Sequence, residues 1–203
     1  MSIDEGYIKF DSDWTPGPAA DSEATALLDH WRRPLFEAGL IGHYDELGIG
    51  YGNLSVRAGA GREFIISGTQ TGQVAVTSGQ HYARVTDYDI DANRVRSTGP
   101  VEASSESLTH AAIYELDPSI NGVVHVHSDR LWRSLRHHLP TTSDDLSYGT
   151  PEMARVFERL YRDTDFASAG VAVMGGHEEG ISAFGRSLED AAGRILALVP
   201  RRG

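Results

Sequence analysis

The stretch from Ser104 to Ser128 constrains this chain most, because it joins an amphipathic helix to a strand that ends in two histidines. Side chains at positions i and i+2 of a strand leave the same face about 7 Å apart. His125 and His127 can therefore approach a single ion. The Asn121-Gly122 turn and the valines that follow it mark the strand. The sequence predicts a candidate metal site at the end of this strand.

The helix before this strand brings a carboxylate toward the same place. Ser104 or Ser105 can accept hydrogen bonds from the first-turn N–H groups, and Asp117-Pro118 ends the helix. Glu106 is thus expected in the first turn, where the helix dipole favours its ionised form. The apolar positions at helical spacing are Leu108, Ala111, Ala112 and Leu116.

Two histidines on a strand also fit a structural or surface role, so a third ligand matters. His177 follows a predicted strand over residues 170–174 and the Gly175-Gly176 turn. It is the third ligand candidate. His137 and His138 are interpreted as a structural pair that closes a helix.

The composition narrows the kind of site. The chain has 203 residues, which favours one domain, and it has no cysteine, so disulfides and thiolate zinc sites are excluded. The net charge of −11 argues against a nucleic-acid partner. No apolar run approaches the ~20 residues of a membrane span, and the N-terminus lacks the order of a signal peptide. We expect a cytoplasmic protein without a membrane partner.

The remaining pattern predicts alternating strands and helices. Residues 1–21 lack a period and are expected to form a loosely held arm before a domain at residues 22–203. A helix is predicted from Ser22 to Leu40, with Pro34 causing a kink or a break into two helices. Strands follow near residues 54–56, 64–67, 82–85 and 95, and later helices begin at Thr150-Pro151 and Ser187.

Two polar turns suggest an anion site. The first is GIGYGNLSVR at residues 48–57, and the second is FIISGTQTG at residues 64–72. Glycines let backbone N–H groups approach an anion, and Asn53, Ser67 and Thr69 can add donors. Such turns are also common in ordinary hairpins, so this prediction stays open at the level of the residues alone.

The ordered set of motifs resembles the class II aldolase/adducin family. The motifs are GNLSVR (52–57), ISGT (66–69), SSE (104–106) with His110 in the helix behind it, HVH (125–127), YGTPEMA from Tyr148, and GGHEEG with GRSLEDAA downstream. They span roughly residues 22 to 199. The resemblance implies an α/β (α+β) fold with a mainly antiparallel central sheet flanked by helices in three layers, and it implies homotetramers.

The resemblance also assigns roles. It implies that His125, His127, His177 and Glu106 bind one divalent ion per subunit, usually Zn²⁺. It also implies that Glu106 is a metal ligand in the resting enzyme and becomes the catalytic acid/base once substrate displaces it. It implies that a substrate phosphate is held by neutral groups, namely Asn53, Ser67, Gly68, Ser104 and Ser105, with Thr69 as a further candidate. Helix N-terminal N–H groups can hold such an anion without lysine.

The implied reaction is aldol cleavage of a small ketose phosphate through an enediolate, releasing dihydroxyacetone phosphate and an aldehyde. Two departures stand out: Ala103 precedes SSE, and the loop and C-terminal tail that carry tyrosines in the aldolase have no counterpart. Tyr148 or Asp129 is a replacement candidate for the proton donor. Alternatives on the same scaffold are epimerase, dehydratase, decarboxylase and non-heme iron oxygenase reactions, and an adducin-like interaction domain without metal.

Overall fold

The computed structural model describes residues 6–200, which form ten strands, six α-helices and one 3₁₀ helix at Gly79–His81. The strands are β1 (Asp11–Pro16), β2 (Gly42–Tyr44), β3 (Ile49–Tyr51), β4 (Asn53–Arg57), β5 (Phe64–Ser67), β6 (Tyr82–Asp89), β7 (Arg94–Gly99), β8 (Gly122–His127), β9 (Val171–Val173) and β10 (Gly180–Gly185). The helices are α1 (Ser22–Glu37), α2 (Ser107–Leu116), α3 (Asp129–Leu135), α4 (Pro151–Asp163), α5 (Phe166–Ala169) and α6 (Leu188–Leu198).

Eight strands make one central sheet in the order β1-β7-β6-β5-β4-β8-β10-β9. β1 and β7 run parallel, and the other neighbours in this sheet run antiparallel. β2 and β3 form a separate hairpin. The predicted mainly antiparallel sheet is therefore confirmed.

The two faces of the sheet are both apolar, because side chains alternate along each strand. On β5, Phe64 and Ile66 pack into one buried cluster with α2, α4 and α5. Ile65 between them packs into the second cluster, with α1 and α6. Helices thus cover both faces, and the predicted three-layer α/β fold is confirmed.

This alternation decides which layer holds the site. Val123 on β8 belongs to the cluster of α2 and α4, whereas Val124 and Val126 belong to the opposite cluster. His125 and His127 alternate with these valines and share the face of Val123. The two histidines therefore lie on the face of the sheet that is covered by α2, α4 and α5.

The predicted loosely held arm is wrong for residues 11–16. These residues form β1, which pairs in register with β7 from Asp11 opposite Arg94 to Pro16 opposite Gly99. The strand is mostly exposed and is held by backbone hydrogen bonds at the sheet edge, so its side chains carry no apolar alternation. Residues 1–5 of the predicted arm and 201–203 of the predicted domain lie outside the described residues.

Two helix details also differ from prediction. Pro34 does not break the first helix in two, because α1 runs unbroken from Ser22 to Glu37 with Asp21 as its N-cap. Leu28 and Leu35 are both fully buried on the same side of α1, so packing holds the turns on either side of the proline together. Glu106 lies at the N-cap of α2 rather than in its first turn.

Candidate active site

The β9–β10 hairpin delivers His177 to the histidines of β8. β10 pairs with β8 so that Gly180 lies opposite His127, and the turn between β9 and β10 holds His177 just before Gly180. A Cβ on Gly180 would lie 2.5 Å from the His177 ring. The absence of a side chain there lets the ring fold back toward β8.

The Nε2 atoms of the three histidines converge. The separations are 3.0 Å between His125 and His127, 3.1 Å between His127 and His177, and 3.3 Å between His177 and His125. Ligands of a tetrahedral zinc with Zn–N bonds of about 2.0–2.1 Å lie about 3.3 Å apart. The three histidines, none more than 3 % exposed, have the spacing of a ligand set for one ion.

Glu106 borders this group. Its Oε1 lies 3.6 Å from His177 Nε2, the side chain is 1 % exposed, and neither carboxylate oxygen has a hydrogen-bond partner among the described residues. A buried carboxylate without partners is unfavourable, and a cation beside it removes that penalty. Three converging imidazoles and an unpaired carboxylate therefore fit a divalent cation.

Burial sets the protonation of the metal-free group. It lowers the pKa of His125 to about 3, opposed by a backbone hydrogen bond at Ile181, and it lowers the pKa of His127 and His177 well below 6.5. It raises the pKa of Glu106 to about 7, although nearby Thr109 and Lys9 lower it in part. The histidines are neutral at pH 7, which is the form that binds metal.

A tyrosine and a second glutamate orient His127. The Tyr44 hydroxyl donates to Glu179 Oε2 at 2.6 Å and lies 3.2 Å from His127 Nδ1. A hydroxyl has one proton, so the Tyr44 oxygen accepts from Nδ1–H of His127. The Nε2 atom is then left with its lone pair toward the other histidines. Glu179 holds this position with a φ of 68°, which is uncommon for a residue with a side chain.

A small polar cavity adjoins the histidines. Its lining includes most of the predicted phosphate-binding residues, together with one from the N-terminal segment: Asn53, Gly68, Thr69, Ser104, Ser105 and Gly6. Asn53 lies directly opposite His125 in the sheet, and Ser105 precedes Glu106 in the chain, so the cavity and the histidines share a border. Asn53 Oδ1 is buried without a partner in the described part of the chain.

Comparison with known proteins identifies the family. The family model "Class II Aldolase and Adducin N-terminal domain" matches residues 39–200. The chain belongs to the class II aldolase and adducin family.

Solved structures of that family share the fold. The L-fuculose-1-phosphate aldolase of Thermus thermophilus is 22% identical, with a TM-score of 0.62 over 88% of this chain and 90% of that one. YgbL of Escherichia coli, assigned to aldolase/epimerase/decarboxylase chemistry, is 18% identical, with a TM-score of 0.65 over 87% and 85%. A sugar-phosphate aldolase of Thermotoga maritima is 15% identical, with a TM-score of 0.63 over 87% and 90%.

Ser67 is placed differently from the other predicted phosphate-binding residues. Its hydroxyl hydrogen-bonds the backbone of Leu54 across the neighbouring strands, and it does not line the cavity. Gly68 after it does line the cavity, where a Cβ would lie 2.3 Å from a methyl group of Val101. Glycine is required here because any side chain would meet Val101.

Neither replacement candidate for the proton donor points its acidic group at the histidines. The Tyr148 ring lies 4.6 Å from the His177 ring, but its hydroxyl donates to Tyr7 O at 3.2 Å and accepts from Tyr7 N–H at 3.1 Å. Asp129 is half-exposed and pairs with Arg133 at 2.6 Å. Tyr148 thus forms a wall of the site, and Asp129 lies on the surface.

Sequence reasoning missed Tyr44, Glu179 and Lys9 as neighbours of the site. Tyr44 lies on a three-residue strand that is too short to show periodicity, and nothing in the sequence distinguishes Glu179 from its neighbour Glu178. Lys9 did carry a signal in composition, because it is the single lysine of the chain.

Proposed function

We propose that this protein is a metal-dependent lyase of the aldolase type that cleaves a small ketose phosphate. The observation that carries the proposal is the convergence of three imidazole Nε2 atoms beside a buried, unpaired carboxylate. The adjoining cavity of neutral hydrogen-bond donors supports a phosphorylated substrate. The named aldolases with the same fold act as precedent for this class of reaction.

We propose that His125, His127, His177 and Glu106 hold one divalent ion per chain, with Zn²⁺ as the expected ion. Three neutral imidazoles suit zinc and add no charge, so the Glu106 carboxylate offsets only half of the double positive charge of the ion. When bound, such an ion supplies Lewis-acid polarisation of the carbonyl and hydroxyl oxygens of the substrate.

The cavity beside this group is the proposed phosphate site. Ser104 and Ser105 immediately precede α2, Asn53 presents its amide from β4, and Gly68 exposes backbone. Neutral donors and helix N-terminal N–H groups hold a phosphate by hydrogen bonds and by the helix dipole. Because this cavity borders Glu106, a bound phosphate would place the carbon chain of the substrate beside that carboxylate.

Glu106 is the proposed proton shuttle. In the cleavage direction the hydroxyl on the far side of the scissile C–C bond loses its proton and becomes the aldehyde. The electron pair of the broken bond passes to the carbonyl fragment as an enediolate, and protonation of its carbon gives dihydroxyacetone phosphate. A carboxylate that can take the first proton and return it to carbon serves both steps.

The test is a retro-aldol assay of zinc-loaded protein with a panel of ketose 1-phosphates. Release of dihydroxyacetone phosphate is followed through its reduction by glycerol-3-phosphate dehydrogenase, and the aldehyde is trapped separately. We expect both products in equal amounts and their loss in Glu106→Gln. Conversion of the same substrates without a free aldehyde would replace the lyase proposal by epimerisation or dehydration.

A non-catalytic, adducin-like role is less well supported. An interaction domain has no need for three histidines with their ring nitrogens about 3 Å apart in the interior, where unpaired polar groups are unfavourable.

We further propose a cytoplasmic homotetramer. No helix of the described residues is long and apolar enough to cross a membrane. Light scattering of purified protein tests the assembly.

A further inference from the structure

The N-terminal segment crosses the proposed site. Residues 6–10, here called the strap, begin at the phosphate cavity, where Gly6 is part of the lining and its carbonyl accepts from Gln70 Nε2 at 2.8 Å. Ile8 packs on the cluster of α2 and α4, and Phe10 is buried within it. The strap is therefore anchored at both ends, and Tyr7 and Lys9 lie between the anchors.

Tyr148 joins the strap to the histidines. One face of the site is its ring, 4.6 Å from the ring of His177, and its hydroxyl makes two hydrogen bonds with the backbone of Tyr7. His125, His127, His177 and Glu106 are each 3 % exposed or less. Tyr148 and the strap thus help to close the site from solvent.

Lys9 is held against the ring of Tyr148. Its ammonium lies 3.9 Å from the centre of the Tyr148 ring and donates to Ser147 Oγ at 2.6 Å. Its backbone carbonyl accepts from Asn93 Nδ2 at 2.9 Å. The Lys9 ammonium and the His177 ring both lie against the ring of Tyr148. Their separation is therefore at most about one Debye length, ~8–10 Å.

Lys9 is the cation that the strap brings to the edge of the proposed site, next to Tyr148 and Ser147. The lining of the phosphate cavity contains no lysine or arginine. Arg32 lies behind the cavity, where its Nη2 donates to the carbonyls of Thr71 and Gly72 at 3.0 and 3.1 Å. Lys9 approaches instead from the strap side.

We propose that Lys9 is a substrate-binding residue, whose ammonium binds the anionic group of the substrate at the border of the phosphate cavity. The inference rests on the proposed function, because it needs an anionic substrate at this place. A flexible four-carbon stem lets the ammonium move from Ser147 toward a bound phosphate while Ile8 and Phe10 hold the backbone. The alternative is a purely structural role, in which Lys9 only fastens the strap through Tyr148.

Two variants separate these roles. Lys9→Met keeps the apolar stem over Tyr148 and removes the charge, whereas Lys9→Arg keeps the charge. Arg159→Gln is the matched control, because it removes one positive charge from an exposed position on α4. Calorimetric titration of zinc-loaded protein with inorganic phosphate should give a dissociation constant raised about tenfold in Lys9→Met, raised much less in Lys9→Arg and unchanged in Arg159→Gln.

A spectroscopic readout does not depend on the variants. Reductive ¹³C-methylation labels only Lys9 and the chain terminus, because the chain has no other lysine. Saturating inorganic phosphate should shift the dimethyl-lysine resonance of the zinc-loaded protein. This readout holds even if Lys9→Met proves unstable in thermal unfolding.

The outcomes distinguish the two proposals. Phosphate that binds to Lys9→Met as tightly as to the wild type, or that binds without moving the lysine resonance, overturns the role of Lys9 and leaves the proposed function intact. Wild-type protein that holds zinc but binds no phosphate removes the phosphate site of the proposed function, and the role of Lys9 with it.

Discussion

The surroundings of Glu106 oppose the ionisation of its carboxyl group in the metal-free protein. Its carboxylate is 1 % exposed without a hydrogen-bond partner in the described chain, and burial raises its pKa from 4.5 to about 7. Below pH 4.5 the carboxyl is protonated in both the folded and the unfolded chain. As the pH rises, the unfolded chain releases the proton first, so folded stability falls until the pH exceeds the folded pKa.

This shift predicts a pH-dependent stability difference between the wild type and Glu106→Gln in chelator. Relative to the variant, the wild type should lose about 2 kcal/mol of unfolding free energy between roughly pH 5 and pH 8. Urea unfolding at several pH values measures the difference. Zinc provides the control, because a cation beside the carboxylate should abolish the trend. A difference that stays flat with pH in chelator would show that the carboxylate is not desolvated.

Tyr44 and Tyr51 both lie beside His127 but differ in the partners of their hydroxyl groups. The two ring centroids lie 4.5 Å apart with the rings tilted at 41°, and the centroid of the Tyr51 ring lies 5.5 Å from that of His127. Only the Tyr44 hydroxyl bonds His127 Nδ1, whereas that of Tyr51 bonds the carbonyl of Gly39. Tyr44→Phe should weaken zinc binding about 10- to 100-fold, and Tyr51→Phe should change it little. Competition with a chromophoric chelator measures both affinities. Equal affinities in the two variants would refute the role of the Tyr44 hydroxyl.

The site residues that the sequence predicts are those that their spacing along the chain brings together. His125 and His127 were predictable because strand geometry alone puts them on one face, and His177 because it follows a glycine turn at a strand end. Tyr44 and Lys9 were not, because they reach the site from segments more than eighty residues away in the chain and carry no local period.

At the scale of elements, close contact between β8 and α6 fixes the strand that carries two of the histidines. A Cβ on Gly122 would lie 2.5 Å from Leu188 Cα and 2.6 Å from Leu188 N. These are backbone atoms, so a rotamer change cannot relieve the clash. The first turn of α6 can therefore approach β8 closely only because residue 122 is glycine.

Gly122→Ala is thus expected to destabilise the protein by about 1–3 kcal/mol. Gly193→Ala is the matched control on α6, because a Cβ there meets nothing within 4 Å. It should stabilise the protein by about 0.5–1 kcal/mol through helix propensity. Thermal and urea unfolding of both variants check the pair. An unchanged stability of Gly122→Ala would mean that α6 is not held against β8 as described.

Helices and strands with a clear hydrophobic periodicity were predictable, and those without one were not. The helix that begins at Thr150-Pro151 is present as α4, capped by the Thr150 hydroxyl. β1 escaped prediction because it is an edge strand whose polar side chains are exposed and whose pairing is by backbone. Pro34 does not break α1 because burial of Leu28 and Leu35 outweighs the local penalty of the proline.

At the scale of the whole molecule, the sheet brings distant segments to one point. β8 supplies two histidines, the β9–β10 turn a third, the N-cap of α2 the carboxylate, and β4 the amide of Asn53. The chain has a net charge of −11, which disfavours binding of an anionic substrate. The proposed metal ion and Lys9 would supply positive charge at the site itself.

The central claim is that His125, His127 and His177 meet at one cation. Its most direct test is metal analysis by mass spectrometry of protein purified without a histidine tag and dialysed against zinc. We predict one zinc per chain in the wild type and in His138→Ala, whose histidine is exposed, and none in His125→Ala or His177→Ala. Zinc retained at one per chain in both of the last two variants would contradict the account.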